Sequence, residues 1–361
     1  MTTSTGYDLR EEGRRVIQQM KDGPNPVVEA RQMMSQTILA HVLLGLSDAG
    51  FYEYVAGRDE FSTDEAVRSL DLDRFTFEGL LEYLLGCGVL VRRGGDVFGV
   101  TAKGERLFNV YTRGVLNVYL GGYNAVLQSL GKVLSKQLPL GAPSLQRSTR
   151  HAAAGTAYST CAFTIPEVFA AMRDTGGKVC LDLGCGTGDF LLQWVRQNPG
   201  ARGVGVDISA DALQQARDTA ERWGVADRLE FHEARVGPEP LAVLPGALDE
   251  VDVVTSMYML HELGRNGRQA VVDVVRALRT RLPGRHLLVL EVAACDPEEF
   301  AAQAPPAPHL GRLDYRLIHQ LSGQGLPRTQ DDWHGIFRDA GCRIVQPGTP
   351  TGGSLIYVVG M

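Results

Sequence analysis

The 361-residue chain has six cysteines, Cys87, Cys161, Cys180, Cys185, Cys295 and Cys342, but no Cys-x-x-Cys pair. This excludes the common zinc spacing and a dense disulfide frame, and fits free thiols in a reducing compartment. No apolar run approaches the ~18 to 20 residues of a membrane span. The opening MTTSTGYDLREEGRR lacks the apolar stretch of a signal peptide, so a cytoplasmic location away from membranes is expected. Basic excess is absent as well: Lys plus Arg is 36 against 42 Asp plus Glu, a net charge of −6, which disfavours nucleic acid as the main partner. Internal repeats and low-complexity segments are missing, and the Ala/Pro-rich stretch at 301–311 reads as a loop. What is present is ordinary globular composition, 44% apolar and 22% charged, in a chain long enough for about two domains and a self-sufficient core.

The two halves differ in grain. Up to about residue 172 the pattern is mainly helical. RQMMSQTILAHVLLGLSDAG has helical spacing and stops at Gly50; Ser62 and Glu65 form a candidate capping box before AVRSL; a third helix spans about 74–86. VLVRRGGDVFGV then reads as two strands around Gly94-Gly95, which makes a winged-helix order. Such a wing can bind DNA or serve a dimerisation module. The acidic balance and the lack of a basic run on the third helix favour dimerisation, with Arg92 and Arg93 as solvated surface. Further helices are expected from 112 to 172. From about 177, strands (KVCLDLG, ARGVGVDIS, LEFHEARV, VDVVTSMYML, HLLVLEVA, SLIYVVG) alternate with amphipathic helices, the pattern of a mostly parallel sheet covered on both faces.

The most specific signal is Leu181-Asp182-Leu183-Gly184-Cys185-Gly186-Thr187-Gly188, lying between a strand and a helix. Its glycines let backbone approach a ligand at the carboxyl edge of the sheet. Asp207 ends the next strand, 23 residues after Gly184, where a carboxylate can accept both ribose hydroxyls. The spacing is G-x-G-x-G, and Asp182 precedes it. An acid there suits a sulfonium or ammonium ligand better than a diphosphate.

LDLGCGTGDF with VGVDIS resembles the cofactor signature of class I S-adenosylmethionine-dependent methyltransferases. The first half resembles the winged-helix dimerisation domain of small-molecule O-methyltransferases. The resemblance implies an N-terminal, mainly helical winged-helix dimerisation domain over residues 1–172. It implies a Rossmann-like α/β methyltransferase domain with a seven-stranded, mostly parallel sheet over 173–361. By the same resemblance Gly184, Gly186 and Gly188 line the cofactor, Asp207 holds the ribose, and the protein is a homodimer. After the third strand Arg235 stands where the family places an acid near the adenine.

Where those O-methyltransferases carry His-Asp-Trp, this chain has His261-Glu262-Leu263. His261 keeps the place of the general base, with an ordinary pKa suited to the task; it can equally cap a strand-to-helix turn. DYRLIHQL (314–321) reads as a helix whose counterpart walls the substrate pocket. His319 on that wall is either a core imidazole or a partner of His261, and Arg316, one turn before it, is a candidate substrate residue on the same face. Two imidazoles facing one pocket can hold a metal with open positions. That matches a resembling subgroup, bacterial methyltransferases that alkylate the β-carbon of α-keto acids in secondary metabolism such as peptide antibiotic formation. There a metal, iron or zinc, acts as a Lewis acid. Glu262 is then a third ligand or a partner that orients His261. Arg147 and Arg150, in LQRSTRH, are candidates to grip the substrate carboxylate, or belong to a solvated helix face. Metal-assisted C-methylation of an α-keto acid is the favoured expectation. O-methylation with His261 as base is the alternative, and an S-adenosylmethionine-binding DNA regulator a distant third.

Overall fold

A computed structural model describes residues 9–160, 164–237, 248–298, 302, 310–351 and 353–361. The chain separates into two compact units, Met1–Leu116 and Asn117–Met361. The helical stretch after residue 116 continues the grain of the first half in sequence, but belongs by its contacts to the second unit.

In the first unit, helices Leu9–Asp22 and Pro26–Asp48 precede Phe51–Val55, Thr63–Leu70 and Arg74–Gly86. Strands β1 (Phe61–Ser62), β2 (Leu90–Gly94) and β3 (Val97–Val100) form a small antiparallel sheet in the order β1-β3-β2. This is the expected helices-and-wing arrangement, with β1 as the added strand. Its core is aromatic: Phe51 meets Phe61, Phe77 and Phe108 edge-on at 5.4–5.7 Å. Ser62 caps its helix by accepting from the Glu65 N–H at 3.2 Å. The second half of the expected box does not form, because the Glu65 carboxylate pairs with Arg58 at 2.9 Å instead. Arg92 and Arg93 are exposed. Arg92 folds back over the Phe98 ring, 4.8 Å from its centre, and donates to the Gly95 carbonyl.

The second unit holds a seven-stranded sheet: β4 (Val179–Leu183), β5 (Arg202–Asp207), β6 (Leu229–Glu233), β7 (Val253–Met257), β8 (His286–Val292), β9 (Arg343–Thr351) and β10 (Ser354–Gly360). The order is β6-β5-β4-β7-β8-β10-β9, parallel from β6 through β8, with β10 antiparallel to both neighbours. Alternating residues supply the two faces. Leu181, Val204, Leu287 and Tyr357 pack with helices Arg268–Arg281 and Gln330–Asp339. Cys180, Val253, Leu288 and Ile356 pack with Thr164–Asp174 and Asp189–Gln197. Strand β9 escapes the sequence pattern because it carries Pro347 and Pro350, tolerable only on an edge. Chain order reverses between β4 and β7, so the carboxyl ends of these strands open the crevice where such sheets bind ligands. Among the described residues, Cys87, Cys180, Cys185, Cys295 and Cys342 are free thiols; Cys161 and most of the 301–311 stretch lie outside them. No described helix is long and apolar enough to cross a membrane.

Candidate active site

Strand β4 runs straight into the glycine turn. Gly184, Gly186 and Gly188 all have positive φ, 78°, 54° and 73°. A side chain at Gly184 would put Cβ 2.6 Å from Met259 Cγ, and one at Gly188 would put it 2.9 Å from Ala216 Cβ. Both conformation and space therefore demand glycine. Asp207, at the end of β5, binds this turn: Oδ2 accepts from the Gly186 N–H and Oδ1 from the Ser209 N–H, each at 2.9 Å. Asp182 is 1% exposed and accepts from the Thr255 hydroxyl at 2.7 Å. Burial, only partly offset by Thr255, pushes its carboxyl up to about 7. Arg235 is exposed beyond the end of β6.

The second half of the crevice begins at the end of β7. Tyr258, at φ 54°, makes a left-handed turn that a bulky residue rarely adopts. The short helix Leu260–Leu263 follows, carrying His261 and Glu262. His261 is 1% exposed, and its Nδ1 lies 2.6 Å from Oε2 of Glu291, a carboxylate on β8 that is itself 1% exposed. Oε1 of Glu291 accepts the His261 backbone N–H at 3.1 Å. Helix Leu310–Ser322 brings Tyr315 and His319 together, one turn apart. His319 Nδ1 donates to the Tyr315 carbonyl at 2.8 Å, and the two rings pack at a tilt of 33° with centres 3.9 Å apart. A fully buried His319 Nε2 has no partner. The Tyr315 hydroxyl lies 3.3 Å from His261 Nε2. Gly325 makes this close packing possible: a Cβ there would fall 1.7 Å from the His261 carbonyl oxygen.

The two Nδ1 atoms are thus committed to acceptors, which in the neutral rings leaves the lone pairs on the two Nε2 atoms. Glu262 Oε1 lies 3.9 Å from His261 Nε2 and 3.8 Å from His319 Nε2. One ligand atom from each of these three residues falls within 4.8 Å of the others. Burial by itself would lower the His261 pKa, but the charge and hydrogen bond of Glu291 outweigh it and raise it. Burial and the neighbouring His261 push His319 down to about 2, so its ring is uncharged at neutral pH and keeps only the Nδ1 proton. Burial pushes the Tyr315 phenol well above its ordinary value.

Of the two candidate substrate arginines near residue 150, only Arg147 reaches this cluster. Its Nη1 lies 3.0 Å from Glu262 Oε1 and donates to the Tyr123 hydroxyl at 3.1 Å. With the Gln324 amide carbonyl turned toward it, Arg147 donates twice more at 3.0 Å. Burial opposes the charge on Arg147, yet Tyr123 and Glu262 raise its pKa further. Arg150 is exposed, and so is Arg316. The helix turns Tyr315, four residues before His319, toward the cluster and Arg316 away from it. Glu291, Tyr315, Tyr123 and Gln324 are site residues that the sequence reading missed. A lone acid in the otherwise apolar strand HLLVLEV was the one available signal, for Glu291.

A family model described as a methyltransferase domain matches residues 174–341. The chain is 30% identical to 2-ketoarginine methyltransferase of Streptomyces arginensis over 88% of its own length and 89% of the relative's. It is 29% identical to indolepyruvate C-methyltransferase of Streptomyces griseus, covering 85% and 87%. Among solved structures, human N-acetylserotonin methyltransferase in complex with S-adenosylmethionine aligns over 100% of both chains with a TM-score of 0.62 at 16% identity. "PigF with SAH" aligns over 92% of this chain and 99% of that one, at 0.64 and 16%. The fold and turn are those of a class I S-adenosylmethionine-dependent enzyme. The chain belongs to the methyltransferase family that includes 2-ketoarginine methyltransferase, and it methylates a small molecule.

Two outcomes follow from the cofactor half. Asp207→Ala should weaken S-adenosylmethionine binding by about 1.5 to 3 kcal/mol, the range for hydrogen bonds to a charged group. Unchanged affinity in calorimetry would contradict the role of Asp207. The raised carboxyl of Asp182 sets a pH dependence. Between the unfolded value of about 3.9 and the folded value of about 7, the folded protein holds a proton that the unfolded chain has lost. Stability therefore falls as pH rises through that window. Asp182→Asn removes the effect, so its stability relative to wild type should climb from pH 4 to pH 7, by up to about 4 kcal/mol. Denaturant unfolding across that range measures it, and a flat difference would show that Asp182 does not titrate there.

Proposed function

We propose that the enzyme transfers the methyl group of S-adenosylmethionine to the β-carbon of an α-keto acid, with a metal ion held by His261, His319 and Glu262. The observation that carries this reading is the buried, unpartnered Nε2 of His319, facing the Nε2 of His261 across the Glu262 carboxylate. Two imidazoles and one carboxylate with open positions suit iron or zinc. Bound there, such an ion supplies Lewis acidity that acidifies the β-hydrogen of an α-keto acid. Glu291 and the Tyr315 carbonyl fix the two ring tautomers, so both lone pairs are aimed before any ligand arrives. Arg147 brings a permanent positive charge to the side of the site where a substrate carboxylate is to be held. The glycine turn and Asp207 position the methyl donor, and positioning of this kind is worth up to ~7 to 11 kcal/mol. In the transfer the β-carbon loses its proton to solvent water, the electron pair left on carbon forms the bond to the methyl group, and the methyl–sulfur bond breaks with its pair staying on sulfur as S-adenosylhomocysteine. The printed names of two relatives support the substrate class, since 2-ketoarginine and indolepyruvate are both α-keto acids.

O-methylation is the second reading, and the His261–Glu291 pair is the observation in its favour, since a base needs no more than this. His319→Leu separates the two. In the keto-acid reading this variant and His261→Ala both lose the metal and most activity, a chelator inactivates the wild type, and the wild type exchanges the β-hydrogen of an α-keto acid into deuterated water without cofactor. An active, metal-free wild type that tolerates His319→Leu would leave His261 as a simple base.

We also assign dimerisation to the first unit, in a cytoplasmic protein of secondary metabolism that does not act on nucleic acid. Its first two helices expose Ile17, Met20, Val28, Met33, Met34 and Ile38, more apolar surface than a solitary pair of helices keeps. Light scattering at micromolar concentration should give the mass of a dimer; a monomer there would overturn the assignment.

A further inference from the structure

We infer that Tyr315 is a further catalytic residue, whose hydroxyl donates a hydrogen bond to the α-oxygen of the keto acid as that oxygen gains negative charge. This rests on the keto-acid reading and deepens it.

The placement is specific. Tyr315 stands one turn before His319 on helix Leu310–Ser322. Its ring packs against both imidazoles, tilted over His319 at 3.9 Å and edge-on to His261 at 5.8 Å, while the two imidazoles meet each other at 5.2 Å. Its hydroxyl rests 3.3 Å from His261 Nε2, the atom that the keto-acid reading offers to the ion. That nitrogen has a single lone pair, and once the pair is used by an ion it accepts nothing from Tyr315. Three of the neighbouring carboxylate oxygens are already engaged. Both oxygens of Glu291 are held by His261, and Glu262 Oε1 by Arg147. A donor left without an acceptor in a site of this burial costs free energy, and an arriving substrate oxygen removes that cost. The α-oxygen of the keto acid becomes more negative when the β-proton leaves, so the same hydrogen bond is stronger at the transition state than in the ground state. Tyr315 keeps its own proton throughout. The β-carbon electron pair, after attack on the methyl group, ends in the new carbon–carbon bond.

The test uses the full-length protein loaded with zinc, wild type and Tyr315→Phe, which keeps the ring and its stacking. Three quantities are compared: zinc content; affinity for oxalate, a planar dianion carrying a negative oxygen in the α-position; and exchange of the β-hydrogens of indolepyruvate and 2-ketoarginine into deuterated water. With wild type competent in exchange, Tyr315→Phe should hold the same zinc, bind oxalate at least tenfold more weakly, and exchange about 10²- to 10³-fold more slowly, the loss typical of an oxyanion donor. Exchange and oxalate binding both within threefold of wild type, at equal zinc, would overturn the inference while leaving the keto-acid reading intact. Loss of zinc from Tyr315→Phe would also overturn it, because the hydroxyl would then support the ligand set rather than the substrate. A wild type that holds no zinc and exchanges nothing would remove the keto-acid reading itself, and the inference with it.

Discussion

The contact between Glu291 and His261 is the constraint on which the substrate half of the site depends. A carboxylate 1% exposed, on a strand of leucines and valines, is costly unless every lone pair has a use. Here both oxygens are occupied by one residue, through the ring Nδ1 and the backbone N–H of His261. The double grip fixes more than a tautomer. It pins the first turn of the short helix Leu260–Leu263 to β8, and so sets where Glu262 points and how near the chain at Gly325 can come. The left-handed turn at Tyr258 belongs to the same device, since the chain must leave β7 sharply to bring His261 back over β8.

The cofactor half is tied in a parallel way on the other side of the switch point between β4 and β7. Asp207 reaches from β5 to the Gly186 N–H, and Asp182 on β4 is held by Thr255 of β7. The two strands that border the crevice are therefore linked by a buried side-chain hydrogen bond as well as by their ladder. Burial pushes the Asp182 carboxyl up to about 7, so its charge is costly unless a cation lies near it. A sulfonium is a ligand for which that charge has a use, whereas a diphosphate is not.

Local rules made much of this legible. The strand-turn-helix around Gly184 to Gly188, the acid at the end of the next strand, the helix carrying His319 and the wing after residue 90 all follow from spacing and turn chemistry within short windows. What escaped depended on long-range geometry or on exceptions to those rules. Strand β9 was hidden by its prolines, harmless only because it is an edge. Glu291 lies thirty residues from His261 and looks in sequence like a flaw in an apolar strand. Arg316 was put on the face of His319 from a spacing of three, but the helix sets Tyr315, at a spacing of four, against the histidine ring and leaves Arg316 in solvent. The boundary near residue 172 followed a change of pattern, while packing joins the helices after residue 116 to the sheet unit. Arg147 therefore lies in the same compact unit as His261.

The wall formed by helix Leu310–Ser322 is where chemistry departs furthest from what packing requires. An apolar side chain at position 319 would fill the space with no polar atom to satisfy. Instead an imidazole is fully buried, with Nδ1 used and Nε2 unused. A proton cannot resolve the deficit, because burial and His261 hold His319 down to about 2. An unsatisfied buried group costs about 1 to 3 kcal/mol, and the only remedy within reach of that lone pair is a Lewis acid or a hydrogen-bond donor brought in from outside. Glu262, at nearly equal distance from both Nε2 atoms, adds an oxygen ligand atom at the same point, although that oxygen also pairs with Arg147. In the proposed reading one cation would meet both the unused lone pair of His319 and that of His261, and this is the physical reason to treat the two histidines as one site.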